Sequence, residues 1–184
     1  MKTMLILATT LAAAGLLRRD DAEGDPVELV KKTGYTLSEA IVKASAIAKE
    51  GTVVAAELEE EDGKVIYSVE FAQGNKILEI NLDAKTGDLV NKENENEDQS
   101  AVVQALKITL AQAIEAALQK KPGLAVEAEA EIEDGKPEID VKIVSDGKVF
   151  KVEVDGTSGV AGAPKSKKDE KKGEKKEEKE DKKK

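Results

Sequence analysis

Acidic residues followed by glycine recur in pairs along this chain, and such side chains can either bind a cation or close a turn. The eight residues are Asp62, Gly63, Asp83, Gly87, Asp134, Gly135, Asp155 and Gly159. A calcium loop needs more clustered oxygen ligands than these short turns supply. Asp-Gly is the preferred pair of a two-residue hairpin. In "DAKTG" and "DGTSG" the aspartate is suited to accept backbone N–H groups, and the glycine to adopt a left-handed conformation. The eight residues therefore predict structural turns and no metal site.

Other catalytic chemistry has little support. Histidine and cysteine are absent, which removes the commonest general base, the commonest metal ligand and any thiolate. Glu129 and Glu131 could form the carboxylate pair of a glycosidase. They alternate with Ala128 and Ala130, however, so they are expected on the wet face of a strand. We expect no enzyme, no catalytic residue and no cofactor.

The elements that carry these turns are duplicated. When Gly51 is aligned with Gly123, the chain repeats at an offset of 72 residues. "ELEEEDGKVIYSVEF" lies over "EAEIEDGKPEIDVKI", and "KILEINLDAKTG" lies over "KVFKVEVDGTSG". Upstream, "TLSEAIVKA" lies over "TLAQAIEAA". Core and turn positions recur together, which indicates a tandem duplication.

Each repeat is predicted to contain one helix followed by an antiparallel meander. Thr36 with Glu39, and Thr109 with Gln112, fit the capping box that begins a helix. Beyond the helix, apolar residues alternate with charged ones in three runs, which is typical of strands with one buried face. Such a unit is an α+β fold with one helix packed on a three- to four-stranded antiparallel sheet.

Charge is unevenly distributed along the 184 residues. The net charge is −9, and the segment from Lys165 to Lys184 holds 11 lysines and 7 acidic residues. An acidic body of this kind repels nucleic acid. The tail has no apolar residue to bury, so we expect disorder; attachment to an anionic polymer is the functional alternative.

The N-terminus resembles a secretory signal. One lysine precedes an apolar stretch, and Ala12 and Ala14 occupy the A-x-A positions of a cleavage site. The stretch is too short for a comfortable transmembrane span, so no stable span is expected after cleavage. A buried or frayed N-terminal helix of a cytosolic protein is the alternative. The predicted divisions are a signal peptide at 1–14, a linker or short helix at 15–35, the first repeat at 36–90, an acidic linker at 91–100, the second repeat at 101–163 and a disordered tail at 164–184.

A helix opening T-L-x-[EQ]-A-I, a glycine, a meander and a strand ending in Asp-x-x-x-Gly resemble the PepSY domain, most specifically in "INLDAKTGDLV". The resemblance implies two tandem cystatin-like units and no catalytic residues. PepSY domains occur in propeptides of secreted metallopeptidases and in envelope proteins. No peptidase domain follows here, so the resemblance implies a trans-acting or stand-alone role.

We therefore expect a periplasmic or secreted, non-catalytic binding module whose partner is another exported or envelope protein, with modulation or inhibition of an exported peptidase as its role. The alternative is a structural cell-envelope protein that binds anionic polymers or cations through its charged surfaces and tail.

Overall fold

The computed structural model describes residues 24–166. The helices are α1 (Pro26–Leu29), α2 (Leu37–Ala48), α3 (Ser100–Ala105) and α4 (Leu110–Lys120), and a 3-10 turn (Val30–Lys32) follows α1. The strands are β1 (Thr52–Glu61), β2 (Lys64–Gln73), β3 (Lys76–Asp83), β4 (Leu89–Glu95), β5 (Leu124–Glu133), β6 (Lys136–Ser145), β7 (Lys148–Asp155) and β8 (Lys165–Ser166). The predicted α+β class is confirmed. None of the helices between residues 24 and 166 is long and apolar enough to cross a bilayer.

The two meanders form one eight-stranded sheet in the order β4-β3-β2-β1-β5-β6-β7-β8. They join where Ala55, Ala56 and Glu57 of β1 pair with β5 in antiparallel register. Ala56 lies opposite Ala128, which is its own equivalent in the second repeat. The expected pair of separate sheets is therefore replaced by a continuous sheet with a local twofold relation at this alanine pair. Pairing β1 with β5 satisfies backbone groups that two separate sheets would leave at two extra edges.

Helices α2 and α4 cover the same face of the sheet. Both begin with the predicted capping box: the Thr36 amide donates to Glu39 at 2.7 Å and the Thr109 amide donates to Gln112 at 2.9 Å. Beneath them lies one continuous apolar core that draws on both repeats. Its largest fully buried side chains include Phe71, Leu37, Ile80, Leu110, Ile114 and Ile143. Because each repeat has only about 55 residues, a shared core buries more apolar surface than two separate ones could.

Parts of the segments predicted as linker and tail form strands in the structure. Residues 91–95 belong to strand β4, so the segment without a helix or strand before α3 is limited to residues 96–99. In the second repeat, Ala161 pairs with Val154, and Ser166 of β8 pairs with Phe150. These pairs repeat Leu82–Leu89 and Leu78–Asn94 at the same offset of 72 residues. Strand β8 is thus a shortened copy of β4. The predicted signal peptide at 1–14 and the tail from residue 167 lie outside the described residues.

Candidate functional site

The two Asp-x-x-x-Gly motifs form matching turns at the ends of β3 and β7. Asp83 Oδ1 accepts from the amides of Lys85 at 2.9 Å and Thr86 at 2.8 Å. Asp155 Oδ1 accepts from the amides of Thr157 at 3.0 Å and Ser158 at 2.6 Å. The glycines that follow, Gly87 and Gly159, have φ of 81° and 73°. Backbone hydrogen bonds to the carboxylates lower the pKa of both aspartates. The carboxylates therefore act as hydrogen-bond acceptors for backbone amides of their own turns.

Left-handed Asp-Gly pairs make the hairpins between strands. Asp62 and Gly63 have φ of 50° and 75°, and Asp134 and Gly135 have 49° and 76°. Positive φ at both residues is the conformation of a type I′ turn. A third pair, Asp146-Gly147, has φ of 50° and 69° between β6 and β7 and was absent from the sequence-based set. The Asp-Gly dipeptide was the signal that would have found it.

The face of the sheet opposite α2 and α4, here called the outer face, is dense in charged residues. Alternate residues of every strand point to it, as cross-strand pairing shows: Glu57 lies opposite Glu127, and Glu129 opposite Asp140. Glu129 and Glu131, the carboxylates considered for glycosidase chemistry, both lie here. Burial is the leading cause of a raised pKa at Glu131, with the charges of Asp140 and Glu129 adding to it. Glu131 is exposed and Glu129 is half-buried on this face, which points away from the main core.

In the second repeat, three lysines of the outer face form ion pairs with carboxylates of the same face. Lys142, Lys151 and Lys165, here called the lysine row, lie opposite one another on β6, β7 and β8. Their ammonium groups lie 2.5 Å from carboxylate oxygens of Glu127, Asp140 and Glu153, respectively. Each lysine of the row therefore has an acidic partner on a neighbouring position of the same face.

The first repeat carries acids where the second carries lysines. Glu70, Glu79 and Glu93, here called the glutamate row, lie opposite one another on β2, β3 and β4. They occupy the positions equivalent to Lys142, Lys151 and Lys165 at the 72-residue offset. In the described part of the chain, no lysine or arginine forms an ion pair with any member of this row.

This arrangement changes the acidity of Glu70. The pKa of Glu70 is raised to about 7, first by burial and then by the nearby charges of Glu79, Glu97, Glu129 and Glu95. Directly opposed like charges destabilise a strand pair. The glutamate row is therefore a site of concentrated negative charge that was not predicted from the sequence. The signal for it was the alignment of three glutamates with three lysines across the repeats.

A second acidic group lies on β6 and β7. Carboxylate oxygens of Glu138, Asp140 and Glu153 lie within 4.8 Å of one another. Burial raises the pKa of Glu138 to about 7, with Asp140, Glu133 and Glu153 contributing. This group already contains a cation, because Lys151 pairs with Asp140 at 2.5 Å and reaches Glu153 at 3.8 Å.

Two helix-and-meander units that share one antiparallel sheet define a small α+β domain. The chain belongs to the PepSY family: the family described as "Peptidase propeptide and YPEB domain" matches residues 34–93 and 107–160. The two tandem repeats and the resemblance are thereby confirmed. A solved structure from Clostridium difficile 630, described as that of a candidate lipoprotein, is similar to the chain, with 22% identity and a TM-score of 0.45 over 73% of this chain and 95% of that chain. No curated protein matches the sequence.

Proposed function

We propose that this protein is a non-catalytic binding module that works outside the cytoplasm and modulates an exported peptidase. The observation that carries the proposal is the match of two segments to a family described by peptidase propeptides. The absence of histidine and cysteine from the sequence agrees with a binding role. The signal-like N-terminus supports the location.

The edge strand β4 is the surface best suited to such a partner. Its residues are mostly exposed, and one side of its backbone faces away from β3. An edge of seven residues offers unpaired N–H and C=O groups to an extended peptide, whereas the opposite edge strand, β8, has only two residues. Leu89 and Val90 add exposed apolar contacts, at 50% and 41% of their full accessibility.

Because the sheet is continuous, the duplication does not create two independent partner-binding sites. Two units on a flexible linker would bind with avidity set by the linker. Here β1 and β5 pair directly, so the repeats hold a fixed relation and leave one long edge. We therefore propose one partner site at β4 rather than two independent sites.

A capture experiment tests the proposal. Immobilised protein is incubated at moderate salt with an envelope extract from its native cell, with and without residues 167–184, so that β8 stays intact. We expect a peptidase to be retained by both forms and its activity to change on addition of the protein. Retention that depends wholly on the tail, or that disappears at moderate salt, would contradict the proposal.

A matched pair of variants locates the binding surface. Val90→Glu puts a charge on the β4 edge, while Val42→Glu puts the same charge on α2, where Val42 is 70% exposed. We expect Val90→Glu to abolish capture and Val42→Glu to leave it unchanged. Equal effects of the two substitutions would exclude β4 as the contact.

The charged outer face favours a second candidate, a structural envelope protein that binds cations or polymers through charge. Its specific observation is the glutamate row. Binding of this kind would weaken steeply between low and moderate ionic strength, which separates it from edge-strand docking in the same capture experiment.

A further inference from the structure

The two repeats carry opposite charges at equivalent positions of the outer face. At equivalent positions of the same strand pairs, the second repeat has the lysine row and the first has the glutamate row. The residues beside these rows are also exchanged: Asp140 and Glu153 of the second repeat correspond to Ser68 and Asn81 of the first. Each lysine thus has a carboxylate partner, whereas the positions of the first repeat that correspond to Asp140 and Glu153 carry uncharged side chains.

Three carboxylates of the first repeat converge closely. Oxygen atoms of Glu79, Glu93 and Glu95 all lie within 4.8 Å of one another. Oxygen ligands of one Ca²⁺ lie 2.3–2.6 Å from the ion, so oxygens up to about 5 Å apart can share it. Glu70 lies opposite Glu79 and adds a fourth carboxylate to the charge of the site.

A buried amide oxygen borders this cluster. Asn81 is only 4% exposed, and its Oδ1 is buried without a hydrogen-bond partner. Its cross-strand neighbours both turn their donors toward the carboxylates: Ser68 Oγ donates to Glu79 at 2.9 Å and Asn91 Nδ2 donates to Glu93 at 2.5 Å. Asn81 stands between them on the same face of β3 as Glu79. A buried acceptor without a donor costs free energy that a cation can recover.

We propose that the outer face of the first repeat holds a divalent cation, with Ca²⁺ favoured, bound by Glu79, Glu93, Glu95 and the amide oxygen of Asn81. Carboxylate and amide oxygens are the ligands that Ca²⁺ prefers, and its flexible coordination suits a flat sheet where water completes the shell. Mg²⁺ requires a stricter octahedron and is expected to bind more weakly. The cation takes the place that the lysine row fills in the second repeat. This site goes beyond the proposed peptidase-directed role and does not depend on it.

The test is a titration of the full chain, labelled with ¹⁵N, with CaCl₂ alone. We expect saturable shifts of amides in 79–81 and 91–95, with a Kd of about 0.1–1 mM, as in extracellular calcium modules. KCl at the same ionic strength should leave these amides unshifted. Equal shifts with KCl, or shifts that do not saturate, would show screening alone and overturn the proposal.

Variants assign the site. Glu79→Lys places the residue of the second repeat into the first, and we expect it to remain folded without added metal and to weaken Ca²⁺ binding at least tenfold. Glu79→Gln tests the same ligand with a smaller change and should also weaken binding. Glu138→Gln, in the group on β6 and β7, is the matched control and should keep the Kd within twofold. Loss of binding in Glu138→Gln but not in the Glu79 variants would place the ion elsewhere and refute the inference.

Discussion

At the scale of single residues, Asp155 shows how one carboxylate closes a turn. Its Oδ1 accepts two backbone amides and the Ser158 hydroxyl. We predict that Asp155→Ala lowers the Tm, because two amides lose their acceptor, and that Asp155→Asn retains most of the stability through its amide oxygen. Thermal unfolding followed by circular dichroism measures both. Equal Tm values for Asp155→Ala and wild type would contradict this role.

The pKa of Asp155 adds a pH dependence with a defined sign. Hydrogen bonds from Ser158 and Thr157 lower its pKa from 3.8 in the folded state. Its contribution to stability is therefore present above pH 3.8 and is lost as pH falls through the lower folded-state value. Wild type should lose more stability than Asp155→Asn on acidification below pH 4. Parallel pH profiles of the two proteins would count against the hydrogen bonds as the cause.

The pH dependence of stability that Glu138 contributes has the opposite sign to that of Asp155. Burial, the charge of Asp140 and a hydrogen bond with Glu133 raise its pKa from 4.5 to about 7. The folded state then holds a proton that the unfolded state releases, so stability is full below pH 4.5 and falls as pH rises through 7. Glu131, Glu153 and Lys151 also face this group.

We predict that Glu138→Gln flattens the fall in free energy of unfolding between pH 4.5 and 7, measured by urea denaturation. Glu115→Gln, on an exposed position of α4, is the matched control and should keep the wild-type slope. An unchanged slope in Glu138→Gln would assign the pH dependence to other carboxylates.

At the scale of elements, short sequence motifs correctly predicted the helix starts and the hairpin turns. Thr36 and Thr109 begin their helices as capping boxes do, and Asp62-Gly63 closes its hairpin with positive φ, because each feature depends on residues close in sequence. Strand β4 was expected to end near Val90, since residues 91–95 are polar. Pairing with β3 extends it, and an exposed edge strand tolerates polar residues on both faces.

At Gly123, close packing between neighbouring strands excludes a side chain, which the sequence did not indicate. A Cβ at this position would lie 2.4 Å from the Val144 carbonyl oxygen, where β5 begins beside β6. At Gly147 a Cβ would meet nothing within 4 Å, but φ is 69°. The first glycine is required by close packing of the backbone and the second by a left-handed conformation.

We predict that asparagine restores stability relative to alanine at Gly147 but not at Gly123. Gly147→Ala should cost about 1 kcal/mol and Gly147→Asn less, because asparagine tolerates the left-handed region. Gly123→Ala should cost more than Gly147→Ala, and Gly123→Asn should recover nothing. Chemical denaturation of the four variants measures the difference. Recovery of stability in Gly123→Asn would show that conformation, and not contact with Val144, restricts the position.

At the scale of the whole molecule, the joining of the repeats through β1 and β5 is the feature that sequence periodicity could not supply. Each repeat predicts its own meander, yet nothing in either repeat states that Ala56 pairs with Ala128, since that contact spans 72 residues. The glutamate row depends on the same long-range order, because its three members come together only once β2, β3 and β4 are in register. The turns of the site were therefore predictable and its charged surface was not.

The continuous sheet predicts that both repeats unfold together. Buried residues of α2 and α4 belong to one core cluster, and β1 pairs with β5 between them. Calorimetry of the full chain should show a single transition whose van't Hoff and calorimetric enthalpies agree. A fragment ending at residue 99 would leave β1 as an open edge and remove the part of the core that β5 and α4 supply, so we expect it to be unfolded or dimeric through β1. Two separable transitions in the full chain, or a stable monomer of the fragment, would mean that the repeats are independent domains that only touch at the alanine pair.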